Sequence, residues 1–270
     1  MARLLRQLDY SPKVNRKKLG QSSPHRDQQF RYINRLKRLF LRNGWPIISI
    51  DAKKRELIGW FKNPGVAWRR RPYSVHVYDY RSLAEGIGIP FGIYDPVRNE
   101  GFVHVGTSAN TAELAVDAVL WWWQTYGRHY YPQAPALLIL ADGGSSNGCR
   151  VRLWKYTLQR RLVDATGLEV TVSHYPTGAS KWNPVEHGLF GPISKNWQGY
   201  PLFSYQRMVS LIKGTNTATG LRVRAKVSWR KYVTKKKISD KQMLQVNLHA
   251  HKVLPKWNYT LKPWPTRPLE

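Results

Sequence analysis

The sequence predicts an α/β fold, a mixed sheet flanked by helices, and three observations carry that prediction. Short strand-like segments come in succession between residues 46 and 105, and helical periodicities then alternate with short strand-like runs. A 42% apolar content over 270 residues is enough for one substantial core with small appendages.

The first two dozen residues read as an extended basic lead-in, with Lys13, Arg16, Lys17 and Lys18 ahead of turn formers from Gln21 to Pro24. Phe30, Ile33, Leu36, Phe40 and Leu41 recur at helical spacing, which predicts a helix over 26–43 stopped at Gly44. A strand over 46–54 follows, then strand-like segments at 56–61, 73–78, 89–94 and 101–105. Residues 110–127 read as a helix with Asn110 as cap, Glu113 three residues on, and Leu114, Val119 and Trp121 in its apolar body. The run from Leu137 to Asp142 is apolar up to its last residue, as a strand buried on both faces should be. A helix over 147–166, a strand over 168–175 and a helix opening at Asn183 and Pro184 come next. Beyond residue 200 the pattern weakens to a helix at 205–213, a strand at 221–227 and a helix at 240–248. The expected division is a basic lead-in and helix (1–44), a core (45–200) and a small α+β C-terminal extension of that core (201–270).

Charge selects the partner. Lys and Arg number 44 against 16 Asp and Glu, a formal net charge of +28. A field of that sign favours polyanions, so nucleic acid is the expected partner. No apolar stretch approaches the roughly 20 residues that span a bilayer, and the N-terminus has no signal-peptide apolar core, so no membrane partner and a cytoplasmic location are expected. The single cysteine, Cys149, rules out an internal disulfide and a cysteine-built zinc site.

Against this basic background three acids stand at the ends of elements. Asp51 closes the run 46–51, Asp142 closes 137–142, and Glu186 follows the helix start at Asn183 and Pro184. In an open α/β sheet, sites form at strand ends, so two aspartates ending neighbouring strands can meet, and a helix aimed at that edge adds the glutamate. Carboxylate oxygens suit hard divalent ions, and a pair of such ions suits phosphodiester hydrolysis and transfer. Each acid also has an ordinary reading. Asp142 precedes Gly143 in a turn signal, Glu186 lies three residues after Asn183 as a reciprocal cap requires, and Asp51 could end a strand and pair with Lys53 or Lys54.

Several stretches resemble a known family: Ile-Ser-Ile-Asp-Ala-Lys-Lys-Arg-Glu-Leu-Ile-Gly (48–59), Tyr-Asp-Pro-Val-Arg-Asn-Glu-Gly-Phe-Val (94–103), Ala-Asp-Gly-Gly-Ser-Ser-Asn-Gly (141–148), Ser-Lys-Trp-Asn-Pro-Val-Glu-His (180–187) and Thr-Ala-Thr-Gly-Leu (217–221). They resemble the DDE transposases of bacterial insertion sequences, in particular the ISAzo-thirteen-like family, over residues 13–263. The resemblance implies a ribonuclease H-like core, two Mg²⁺ or Mn²⁺ ions, and cutting and joining of double-stranded DNA at transposon ends. It places the family's acidic triad, as catalytic and metal-ligating residues, on Asp51, Asp142 and Glu186. Similar transposases act as multimers, so a homo-oligomer on DNA is expected. They also carry an N-terminal helix-turn-helix region that binds the element's ends, which this chain is expected to lack.

Around the acids, Lys53, Ser145, Asn147, Lys181, Asn183 and His187 are candidates for DNA or phosphate contact, with plain N-capping the ordinary reading of 145–147. Arg69, Arg70 and Arg71 join basic clusters at 13–18, 35–42, 150–161 and 235–237, which together suggest a DNA track. Trp121, Trp122 and Trp123 point in different directions around a helix, so one or two of them are expected in the core. Two other readings fit the same sequence: a catalytically silent DNA-binding remnant or inhibitor, and a simple metal-dependent nuclease.

Overall fold

The computed structural model describes residues 2–11, 13, 23–176, 178, 179 and 182–265. Its centre is a nine-stranded mixed sheet built from β1 (Ile47–Ala52), β2 (Glu56–Ile58), β3 (Gly86–Asp95), β4 (Glu100–Gly106), β5 (Ala136–Asp142), β6 (Glu169–Tyr175), β7 (Arg222–Ser228), β8 (Leu248–Ala250) and β9 (Asn258–Leu261). The order is β7-β4-β3-β1-β5-β6-β9-β8, with β2 paired to β3. β1, β3 and β4 form an antiparallel meander, and β5 and β6 lie parallel on the other side of β1. That order and direction make the core ribonuclease H-like. Residues past 200 extend it at both edges, β7 parallel to β4 and β9 antiparallel to β6.

The helices are α1 (Ala2–Gln7), α2 (Arg26–Arg42), α3 (Ala112–Trp122), α4 (Arg128–Tyr130), α5 (Arg152–Leu158), α6 (Asp164–Thr166), α7 (Gly191–Asn196), α8 (Tyr205–Lys213) and α9 (Asp240–Met243). π-turns at Trp123–Gly127, Gln159–Val163 and Glu186–Phe190 link or lead into several of them. One sheet face packs Ile48, Ile50, Phe91, Ile139 and Val172 against α3 and α5, where Trp122 and Trp154 are fully buried. The other face is shared. α2 covers Ile47, Leu138 and Leu140 with Ile33, Leu36 and Phe40, while the Glu186–Phe190 turn, α7 and α8 cover Val103 and Val105.

Several expected boundaries shift, each for a local reason. The cap of α3 is Thr111 instead of Asn110: its side chain accepts from the Leu114 N–H (3.3 Å), while Asn110 accepts from Ser146 Oγ (2.8 Å). The helix expected from 147 starts at Arg152, because 143–149 close into a loop through Gly148 N–H to the Ser145 carbonyl and Cys149 N–H to the Gly143 carbonyl. Residues 73–78 form no strand, and Val77 is 89% exposed. Leu41 lies on the solvent side of α2, which buries Gln29 in the stripe instead. α9 ends after one turn despite its Ser239/Gln242 capping box, and 248–250 become an edge strand. Arg16, Lys17 and Lys18 of the basic lead-in lie outside the described residues. No described helix is long and apolar enough to cross a membrane.

Candidate active site

Alternation along the strands decides where the acids face. Ile48 and Ile50 of β1, and Leu137, Ile139 and Ala141 of β5, belong to the α3/α5 face. Ser49, Asp51 and Asp142 therefore share the opposite face with Ile47, Leu138 and Leu140. β1 and β5 run parallel with Ile50 opposite Ala141, so Asp51 and Asp142 are neighbours one step further on.

Glu186 reaches the same edge from the helical segment above it. Gly92, the β3 partner of Asp51, lies directly under that segment, and a Cβ there would stand 2.6 Å from the Phe190 ring. Only a glycine floor lets this turn lie so close to the sheet. The turn is also fastened by polar contacts. Asn183 is fully buried; its Nδ2 donates to Asp142 Oδ1 (3.2 Å), and its Oδ1 accepts from Ser49 Oγ. Ser49 Oγ in turn accepts from the Val185 N–H (3.4 Å). Behind Asp142, a buried chain runs from Trp154 Nε1 to Tyr259 Oη (3.0 Å) and from Tyr259 Oη to His174 Nε2 (3.3 Å). His174 Nδ1 ends it by donating to the Asp142 carbonyl (3.0 Å).

Burial, and then the charge of Asp142, push the Asp51 carboxyl up to about 8, with Glu186 adding to the rise and the Ala52 N–H (2.7 Å) opposing it. Asp142 is raised too, by burial and Glu186, and eased by Asn183. The three acids thus feel one another. In a chain of 44 Lys and Arg, none of the three is paired with a described Lys or Arg. An all-oxygen donor set with surplus negative charge fits a hard divalent cation. Among the described residues, no group of three or more His, Cys, Asp or Glu side chains is arranged to hold a metal ion.

The reciprocal cap is not formed, because the Asn183 side chain is turned to Ser49 and Asp142. Lys53 pairs with Glu56 (3.5 Å) and lies over the Trp197 ring (5.1 Å), away from Asp51. Asp142 does precede a turn, and that turn shapes a cleft of about 590 Å³ lined by Asp51, Asp142, Ser145, Arg150, Tyr175 and Trp257.

The other candidates divide. Ser145, with φ of 67°, is exposed in the cleft wall and His187 is exposed on the helix. Asn147 and Asn183 are fully buried, so as phosphate contacts both are corrected: Asn183 holds Asp142, and Asn147 lies inside the 143–149 loop. Arg69 is half-buried, donating to the Gly199 carbonyl (2.8 Å) between the Tyr73 and Tyr200 rings, whereas Arg70 and Arg71 are exposed. Lys181 lies outside the described residues. Trp122 and Trp123 are core residues, as expected of the triplet. Sequence reasoning missed Ser49 and the Trp154–Tyr259–His174 chain. Ser49 was detectable, since two residues before Asp51 on a strand is the same face.

A ribonuclease H-like sheet with carboxylates gathered where its two central parallel strands end is the framework of the DDE class. The family described as "Rhodopirellula transposase DDE domain" matches residues 1–263, and the chain belongs to it. No curated protein matches the sequence. Among solved structures, the chain is similar to the Mos1 transposase paired-end complex with left transposon end, at 13% identity and a TM-score of 0.47 over 76% of this chain and 58% of that one. It is also similar to the Mos1 mariner paired end complex with Mn, at 14% identity and a TM-score of 0.44 over 76% and 59%. The chain thus spans under six-tenths of the length of these structures.

Proposed function

We propose that the chain is the catalytic region of a transposase that cuts double-stranded DNA at insertion-sequence ends and joins them to a target, with Asp51, Asp142 and Glu186 holding two Mg²⁺ or Mn²⁺ ions. The observation that carries this reading is the meeting of three carboxylates, unpaired with any described Lys or Arg, at one edge of a strongly basic transposase-family domain. When bound, the ions supply Lewis-acid activation of the attacking oxygen and stabilisation of the leaving oxygen.

The chain's own residues do the rest. Asp51, raised by burial and then by the charges of Asp142 and Glu186, would hold the ions together with those two acids. Asn183 fixes one oxygen of Asp142 while Ser49 fixes the turn that carries Glu186. Ser145 and Arg150 line the cleft and meet the phosphate. Attack of water on a phosphodiester frees a 3′-hydroxyl, which attacks the target phosphodiester in a second displacement, and no protein-bound intermediate forms. Basic faces supply the grip on DNA, so log K should fall by about 0.9 per phosphate contact with log salt.

The test is Mg²⁺-dependent nicking of supercoiled DNA and strand joining. Asp51→Asn should lower nicking by about a thousandfold or more, several kcal/mol of transition-state stabilisation, and keep duplex binding. Retained nicking would sink the assignment. Glu186→Gln should fold normally and fail to nick.

A further inference from the structure

Residues 59–85, between β2 and β3, form an arm, and its base is built firmly. Gly59 N–H donates to the Leu202 carbonyl and Glu85 N–H to the Ile58 carbonyl (both 2.9 Å). Further out, Gly199 N–H donates to the Pro64 carbonyl (2.9 Å), and Asn63 Nδ2 donates to the carbonyls of Trp197 (3.0 Å) and Tyr200 (3.2 Å). The returning strand of the tip is held at Arg69, clamped between two tyrosine rings. Trp60 stacks on Phe203 at 4.9 Å between ring centroids.

Between these two anchors stands Trp68, 102% exposed. The fold holds this indole out in water between clamped neighbours, where its face is open to a stacking partner. Arg70 and Arg71 follow it, both exposed. The arm carries five Lys and Arg against two acids. Its base shares a cleft of about 580 Å³ with Lys53, Lys54 and Arg55, the residues just past Asp51, and with Lys62 and Asn63 from its own side.

We propose that this arm is a nucleotide-gripping hook: Trp68 stacks on a base unstacked from the duplex beside the cut, while Arg70 and Arg71 hold the neighbouring phosphates. An aromatic face flanked by guanidinium groups is the chemistry that takes unpaired bases without regard to sequence. The cleft at the arm's base, lined by Lys53, Lys54, Arg55 and Lys62 together with Glu56 and Asp79, gives the strand a path towards the tip. A second copy of the chain is the poorer occupant, since that contact would bring like-charged arms of a +28 chain together. The location of the cut beside the arm rests on the function proposed above.

The experiment measures binding in EDTA, by fluorescence anisotropy, to a short blunt duplex and to the same duplex with an unpaired 3′ extension bearing 2-aminopurine. Trp68→Ala should weaken the extended DNA by about 5- to 150-fold, the cost of one base–aromatic stack. It should leave the blunt duplex unaffected and abolish the 2-aminopurine quench, and Trp68→Phe should keep most of both signals. Arg70→Ala with Arg71→Ala should reduce the slope of log K against log salt by about 1.8 on duplex. Equal losses on both DNAs, or none, overturn the hook. So does unchanged DNA binding with a shift in sedimentation from dimer to monomer, which makes Trp68 a contact between copies. Because Trp68 packs against nothing, loss of folding does not obscure the result. Binding without metal is independent of the nicking assay that tests Asp51.

Discussion

Two buried polar networks lie on the same face of the sheet, and they are built to opposite ends. In the first, Gln29 of α2 reaches over β6 and β9: its Nε2 donates to Ser173 Oγ (3.2 Å), the His174 carbonyl (2.8 Å) and Asn258 Oδ1 (2.8 Å). Asn258 Nδ2 returns a bond to Gln29 Oε1 (2.7 Å) and another to the Val253 carbonyl (2.9 Å). Every member is neutral and well partnered, so the network holds α2 and β9 to the sheet. In the second, Ser49 and Asn183 satisfy one another but leave Asp51, Asp142 and Glu186 crowded, with burial and mutual repulsion holding Asp51 up. A fold does not gather acids this way for its own stability. Charge crowded at one edge suits a ligand of opposite sign, as proposed above, and the neutral network shows what the same face looks like when only packing is at stake.

The comparison can be broken from either side. The largest expected effect on stability is at the neutral network. Asn258→Ala orphans groups on Gln29 and Ser173 inside the protein and should cost about 3–5 kcal/mol in urea unfolding, while nicking per folded molecule stays near that of the parent. Asn183→Ala should do the reverse. It frees the Asp142 carboxylate and loosens the Glu186 turn, costing about 1–2 kcal/mol of stability and about a hundredfold in nicking rate, the effect of misplacing a reacting group by about an ångström. DNA affinity should barely move. If Asn183→Ala unfolds the chain and Asn258→Ala silences it, the division of labour drawn here is wrong.

Much of this was legible in the chain before folding, and the reasons for the gaps are physical. Asp142 ends an all-apolar run and Asp51 ends a strand-like one, and parallel pairing of those runs sufficed to bring the two acids together. Glu186 could be placed on a helix start but not above Asp51, because that depends on Gly92, whose meaning as a floor is visible only once β3 lies beside β1. Asn183 looked like a cap by local rules, and a long-range partner, Asp142, outbid the local one. β9 and β8 are four and three residues long, β9 pairing with the edge of β6 and β8 with β9 in turn, so no periodicity announced them. The arm at 59–85 carries the aromatic composition of a strand, but 73–78 is tied back by the His76 N–H to the Trp60 carbonyl (2.8 Å) without forming a strand.

The smallest effect concerns a buried polar group that serves neither network. His104, on β4 between Phe91 and Lys226, is 4% exposed; neither ring nitrogen has a partner, and the Trp121 ring meets it edge-on. Burial first, and then the Lys226 ammonium, lower it to about 3 from an ordinary value near 6.5. The folded state therefore refuses a proton that the unfolded chain accepts. The stability carried by neutral His104 is complete above about pH 7 and is lost as pH falls through 6.5 towards 3, by about 2 kcal/mol at pH 5. His104→Leu removes the titrating ring and its two unpartnered nitrogens. Unfolding free energies of parent and variant at pH 7 and pH 5 should differ in their pH dependence by about those 2 kcal/mol, with the variant the flatter. Parallel pH profiles would mean that His104 takes its proton within the fold, and that β4 opens to water where the structure shows it sealed.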